Sequence, residues 1–135
     1  MIEVYFDGAS AGNPGLSGAG VFINFKDGRV EEKSIPLPVM SNHEAEYEAF
    51  LLALQSCIDL GMMRASFRTD SQLIDKAIEK QFVRNPLYKP YLHRALELIE
   101  QFDLFYLKWV PSKSNRQADR LARHAILKQK NSIYE

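Results

Sequence analysis

Cysteine is almost absent: Cys57 is the one thiol in 135 residues. That excludes an internal disulfide and fits a reducing cytoplasm, the location expected here. Cys57 sits in an apolar stretch and reads as a buried, inert thiol. No apolar run approaches the roughly 20 residues of a membrane span, so no membrane partner is expected. Glu3, Asp7 and the glycines after them interrupt any leader-like pattern at the N-terminus. Net charge is also missing, with 17 basic residues against 17 acidic, which argues against a protein that holds nucleic acid mainly by bulk charge. There are no repeats, linkers or low-complexity segments. The length fits one domain with a single core, placed over residues 1–129 with a loose tail at 130–135, and a monomer.

What charge there is lies unevenly. Between Lys108 and Lys130 seven basic residues stand against one acid, Asp119. A solvated helix face alone would explain this, and so would a contact surface.

The stretch Ile2–Gly15 organises the chain. Ile2, Val4 and Phe6 alternate with Glu3, Tyr5 and Asp7, the period-2 pattern of a strand, and Asp7 then meets a glycine-rich loop. Gly18–Phe25 and Val30–Leu37 read as two more strands around an Asp27-Gly28 hairpin signal, with Pro36 and Pro38 marking an end or an edge. Ser41 and Glu44 form a capping-box pattern before a helix from about Asn42 to Leu60, stopped at Gly61. Ala65–Thr69 is a fourth strand, and Asp70 closes it before a helix to about Gln81. Leu87–Phe102 is helical, with Pro90 tolerated in its first turn, and Leu104–Val110 is a fifth strand. Ser114 and Gln117 suggest a second capping box before a last helix ending near Gln129. The order βββαβααβα is α/β, with a five-stranded mixed sheet flanked by helices.

Four carboxylates stand where this order can bring them together. Asp7 and Asp70 end strands that would be neighbours if parallel, and ligands gather at such strand ends. Glu46 and Asp119 lie in the first turns of two helices that can pack over that point. Converging carboxylates repel unless a cation neutralises them, and oxygen-only ligands suit Mg²⁺. Two such ions roughly 4 Å apart can clamp a phosphodiester for in-line attack by water. Taken singly, Glu46 also reads as a solvent-facing helix residue, and Asp119 as a partner of Arg116 or Arg123 along its helix.

The words around the four acids resemble those of a known family. D-G-A-S-A-G-N-P-G at 7–15, S-N-H-E-A-E-Y-E-A at 41–49, T-D-S-Q at 69–72 and W-V-P…N-R-Q-A-D-R-L-A at 109–122 are similar to the four motif blocks of type 1 ribonuclease H, in that family's order and across nearly the whole chain. The resemblance implies a ribonuclease H-like fold. It implies that Asp7, Glu46, Asp70 and Asp119 are the catalytic residues and hold Mg²⁺, two ions with substrate and Mn²⁺ as a substitute. The implied activity is hydrolysis of the RNA strand of RNA–DNA hybrids, leaving 3′-hydroxyl and 5′-phosphate ends. It also implies hybrid contacts through the Gly8 backbone and the amides of Asn13, Asn42 and Gln72, with Ser41 at a phosphate-contacting position and His43 at a further contact position; Lys113 and Arg116 are placed on the substrate side by the basic stretch Lys108–Lys130. Short amides both donate and accept, which suits 2′-hydroxyls.

The chain departs from the pattern in three places. His43 stands where many members carry a second Asn. The loop 111–114 is short, with no histidine between His93 and His124. Phe82–Pro86 leaves no room for the basic extension some members use to grip substrate. In lacking that extension and the loop histidine, the chain resembles a short, bacterial- or archaeal-like form of the family. The departures keep a second reading open: a ribonuclease H-like binding module with weak or no catalysis.

Overall fold

The computed structural model describes residues 1–134. Its sheet is built from β1 (Ile2–Ser10), β2 (Gly15–Asn24), β3 (Val30–Met40), β4 (Arg64–Thr69) and β5 (Leu104–Trp109), in the spatial order β3-β2-β1-β4-β5. β1–β2 and β2–β3 are antiparallel, whereas β1–β4 and β4–β5 are parallel. The expected mixed sheet is therefore present, with β1 at its centre and β4 parallel beside it. The helices are α1 (Asn42–Asp59), α2 (Gln72–Lys80), α3 (Lys89–Ile99) and α4 (Arg116–Tyr134). Among the described residues no helix is long and apolar enough to cross a membrane.

Alternation along β1 sorts its two faces. Ile2, Val4 and Phe6 are buried against the α1 layer, where Phe6 stacks on Phe50 at 4.9 Å between ring centroids and Phe50 meets Phe67 edge-on at 6.3 Å. Burying one such ring contributes roughly 1.5–3 kcal/mol. α1 is rich in alanine (Ala45, Ala49 and Ala53 are all fully buried), which lets its backbone lie close to the sheet.

The capping box at the start of α1 forms as the sequence indicates: the Glu44 N–H donates to Ser41 Oγ and the Ser41 N–H to Glu44 Oε1, each at 3.2 Å. Gly61, at φ +71°, turns the chain out of α1 while the Met62 N–H closes on the Cys57 carbonyl.

Several boundaries differ. β2 begins at Gly15 and β3 runs on to Met40. β3 continues through Pro36 and Pro38 because it is an edge strand, so the missing N–H groups break no necessary ladder. Pro86–Tyr88 is a separate 3-10 turn, and α3 is correspondingly shorter, with Pro90 in its first turn. The second capping box does not form: Ser112–Ser114 is a 3-10 turn and α4 starts at Arg116. α4 does not stop near Gln129 but runs to Tyr134, so residues 130–134 are helical where a loose tail was expected; Glu135 lies outside the described residues. No Gly or Pro interrupts Lys128–Tyr134. Gln129 Nε2 also donates to the Ser17 carbonyl at 2.6 Å and Lys128 Nζ to the Ser34 carbonyl at 3.0 Å, tying that turn to β2 and β3.

Candidate active site

Two glycines seat the two helices that carry acids. A Cβ on Gly8 would lie 2.1 Å from the Ala45 carbonyl, and a Cβ on Gly20 would lie 2.1 Å from the Ala118 carbonyl. Neither position has room for a side chain. In each helix the next residue is an acid, Glu46 after Ala45 and Asp119 after Ala118. Asp7 precedes Gly8 and pairs in register with Gly20 across the β1–β2 ladder. Backbone-to-backbone contacts on opposite faces of the sheet, one at β1 and one at its neighbour β2, thus bring both helical acids to the end of the strand that carries Asp7.

Asp7, Glu46, Asp70 and Asp119 line one open cavity of about 710 Å³, together with Gly8 and Asn42. It sits at the C-terminal ends of β1 and β4, as the parallel pairing requires. Asp7 is 8% exposed. Burial, then the charge of Asp70, then a hydrogen bond with Asp119 and the charges of Asp119 and Glu46, push its carboxyl up from an ordinary 3.8 to about 9. The cluster is therefore short of positive charge: at neutral pH Asp7 holds a proton unless a cation takes its place.

Glu46 is held on both oxygens. Asn42 Nδ2 donates to Oε1 at 3.0 Å, the Ser71 hydroxyl donates to Oε2 at 2.7 Å, and the His43 ring nitrogen Nδ1 lies 3.3 Å from Oε2. Asp70 follows β4; its Oδ1 accepts from Asn115 Nδ2 at 3.3 Å and its carbonyl from Trp109 Nε1 at 3.2 Å. Asp119 makes the pairing along its helix that the sequence also allowed, with Arg123 Nε at 3.0 and 3.1 Å from its two oxygens, and still faces the cavity, as does Arg123. Among the described residues no three His, Cys, Asp or Glu side chains already form a closed ligand set. The donors of the four acids are oxygen throughout, and they fit a hard divalent cation.

The remaining candidates are spread around this centre. Asn13 lies in the β1–β2 loop, its Oδ1 accepting the Asn42 N–H at 3.1 Å. Ser41 is engaged in the α1 cap. His43 is exposed and meets Tyr88 edge-on. Gln72 opens α2, exposed beside the buried Ser71. Lys113 and Arg116 are exposed on the 3-10 turn and at the start of α4, and do not line the cavity. His124, read from sequence as an ordinary surface or groove residue, is exposed. Sequence reasoning missed Ser71 and Asn115. Ser71 is legible only as an opening residue of α2, because its second partner, Glu46, lies 25 residues away.

A family model described as "Reverse transcriptase-like" matches residues 5–125. EbsB of Enterococcus faecalis is 35% identical over 130 residues, covering 95% of this chain and 96% of that protein. Ribonuclease HI of Halobacterium salinarum is 36% identical over 127 residues, and the chain spans 64% of that protein's length. The crystal structure of the halophile's RNase H1 superposes with a TM-score of 0.89 at 34% identity, covering 94% of this chain and 98% of that one. LC11-RNase H1, isolated from compost and solved in complex with an RNA/DNA hybrid, gives 0.88 at 30% identity over 96% and 99%.

Proposed function

Since the chain belongs to the reverse transcriptase-like family and, within it, to the ribonucleases H, we propose that it is a metal-dependent endoribonuclease hydrolysing the RNA strand of RNA–DNA hybrids. The observation that carries this reading is the gathering of Asp7, Glu46, Asp70 and Asp119, from four separate elements, around one cavity. Clustered negative charge is unfavourable for a module that only binds phosphates. It is useful once cations sit between the acids and the phosphate.

Asp7, Glu46, Asp70 and Asp119 would hold two Mg²⁺ ions, with Mn²⁺ as a substitute. When bound, the cations offset charge developing on the phosphate and lower the pKa of the attacking water. The chain's own residues set the geometry. Asn42, His43 and Ser71 keep Glu46 from turning away. Asp7 would hold a cation as the carboxylate, its proton released to solvent. Water adds to phosphorus, the bond to the 3′-oxygen breaks and a proton ends on that oxygen, leaving a 3′-hydroxyl and a 5′-phosphate. Gly8, Asn13, Asn42 and Gln72 face the minor groove, where 2′-hydroxyls distinguish the RNA strand. Ser41, His43, Lys113 and Arg116 complete the substrate side. The reading includes a monomer working in the cytoplasm. Cys57 has no part in it, because burial pushes its thiol up to about 12.

The test is cleavage of an end-labelled hybrid with enzyme in excess, in Mg²⁺, in Mn²⁺ and in EDTA, with Asp70→Asn beside the unmutated chain. The expected result is cation-dependent cleavage, abolished in Asp70→Asn while hybrid binding persists. Binding without cleavage above the Asp70→Asn level would replace the enzyme with the binding-module reading.

A further inference from the structure

Asn115 stands immediately before α4, where an asparagine ordinarily caps the helix by accepting a backbone N–H through Oδ1. Here the side chain turns inward instead. The residue is 1% exposed. Its Nδ2 donates to the Phe6 carbonyl at 2.9 Å and to Asp70 Oδ1 at 3.3 Å. Both partners are acceptors, so the amide is oriented unambiguously, one hydrogen for each. The Asn115 backbone carbonyl accepts the Asp119 N–H at 3.1 Å. One residue thus touches Asp70 directly, Asp7 through the preceding carbonyl, and Asp119 through the first helical hydrogen bond.

Oδ1 is buried and has no hydrogen-bond partner. An unmet buried acceptor and a forgone cap both oppose folding. Stability alone would favour a different residue or a different rotamer. What the arrangement achieves is a fixed spacing between the ends of β1 and β4.

We infer that Asn115 is a positioning residue of the carboxylate site, its amide setting the separation of Asp7 and Asp70, two of the acids that would hold a divalent cation. This rests on reading the cavity as a cation-dependent hydrolytic site. Asn115 itself touches neither cation nor substrate. Serine at this position is too short to reach both acceptors, and alanine donates nothing.

The experiment measures Mn²⁺ affinity by calorimetry, and kcat and KM on hybrid, for Asn115→Ser and Asn115→Ala at a temperature well below melting. Leu54→Ala, a core change away from the site, serves as a control for general loss of stability. The expected result is a loss of Mn²⁺ affinity and of kcat of about tenfold or more in the Asn115 variants, the size of one lost charge-assisted hydrogen bond. KM should stay within about threefold, because uniform substrate binding is untouched. Unchanged affinity and kcat, or equal losses in Leu54→Ala, would overturn the inference. If both Asn115 variants fail to fold, the side-chain amide signals of Asn115 in the unmutated protein decide: slow solvent exchange and a shift on adding Mg²⁺ support the inference, and no shift on adding Mg²⁺ overturns it. An unmutated protein that cleaves no hybrid sinks the hydrolytic reading, while the Mn²⁺ arm still tests Asn115 separately.

Discussion

The Ser71 hydroxyl donates a 2.7 Å hydrogen bond to Glu46 Oε2 while accepting the Ile74 N–H as the cap of α2. A single oxygen therefore both starts a helix and holds an acid carried by another. The two uses separate experimentally. Ser71→Ala should lower stability by about 1 kcal/mol through the lost cap. It should also reduce kcat roughly tenfold to a hundredfold, the range of a hydrogen bond to a charged group. Ser71→Thr keeps the hydroxyl and should recover most of the rate. Urea melts and single-turnover rates on the three proteins check this, and a rate that simply follows stability would remove Ser71 from the site.

Gly20 offers a test of how Asp119 reaches the cavity. A methyl there would run into the Ala118 carbonyl, so Gly20→Ala must push α4 off the sheet. The expected cost is roughly 1–3 kcal/mol, as for overpacking, with a loss of cation affinity on top. Gly28→Ala, at a hairpin position with open space around it but φ +94°, should cost stability without touching cation affinity. Equal effects on affinity from the two would count against the contact as the device that places Asp119.

The pH dependence follows from Asp7. Its carboxyl is raised from 3.8 to about 9 by burial and by its acidic neighbours. The folded chain thus holds a proton that the unfolded chain releases. The contribution is fully present below about pH 4 and is lost as pH rises towards 9. In EDTA this group makes stability fall across that window. Saturating Mg²⁺ should flatten that fall, since the cation displaces the proton from the folded chain and binds more strongly as pH rises. Melts from pH 5 to pH 9 with and without Mg²⁺ would show the difference widening; parallel curves would speak against a cation site at Asp7.

Grip on substrate should be modest. Arg123 and Lys130 line the cavity, whereas Lys113 and Arg116 stand exposed outside its lining. Each phosphate neutralised contributes about 0.9 to the slope of log affinity against log salt on duplex DNA. With net charge zero the slope should be shallow, and reversing Lys113 and Arg116 together should flatten it further. A slope indifferent to that double change would move the contact surface elsewhere.

Most of the fold was legible because its signals are local. Alternation in Ile2–Asp7, the Ser41–Glu44 box and Gly61 each act within a few residues, and each does in the structure what its chemistry suggests. The end of α4 was not legible, since Gln129 and Lys128 are anchored by carbonyls of distant strands. Taken singly, Glu46 and Asp119 also read as ordinary helix residues; the four acids could be singled out because strand ends and helix starts allow them to meet and because the words around them resemble four motif blocks of one family. Ser71 and Asn115 could not, because their second partners lie 25 and 45 residues away in sequence. Whether a cap residue also serves a distant acid depends on how two layers meet, and no local pattern records it.

Pro36 and Pro38, carried within the outer strand β3, bear on behaviour at high concentration. An edge strand is a template on which a second chain can grow a sheet, the first step towards aggregation. Proline offers no N–H to such a chain and disfavours the continuous pairing that growth requires. The segment that closes one side of the sheet is thereby poorly suited to recruiting another molecule, which protects a small, net-neutral protein with little charge repulsion to keep its copies apart.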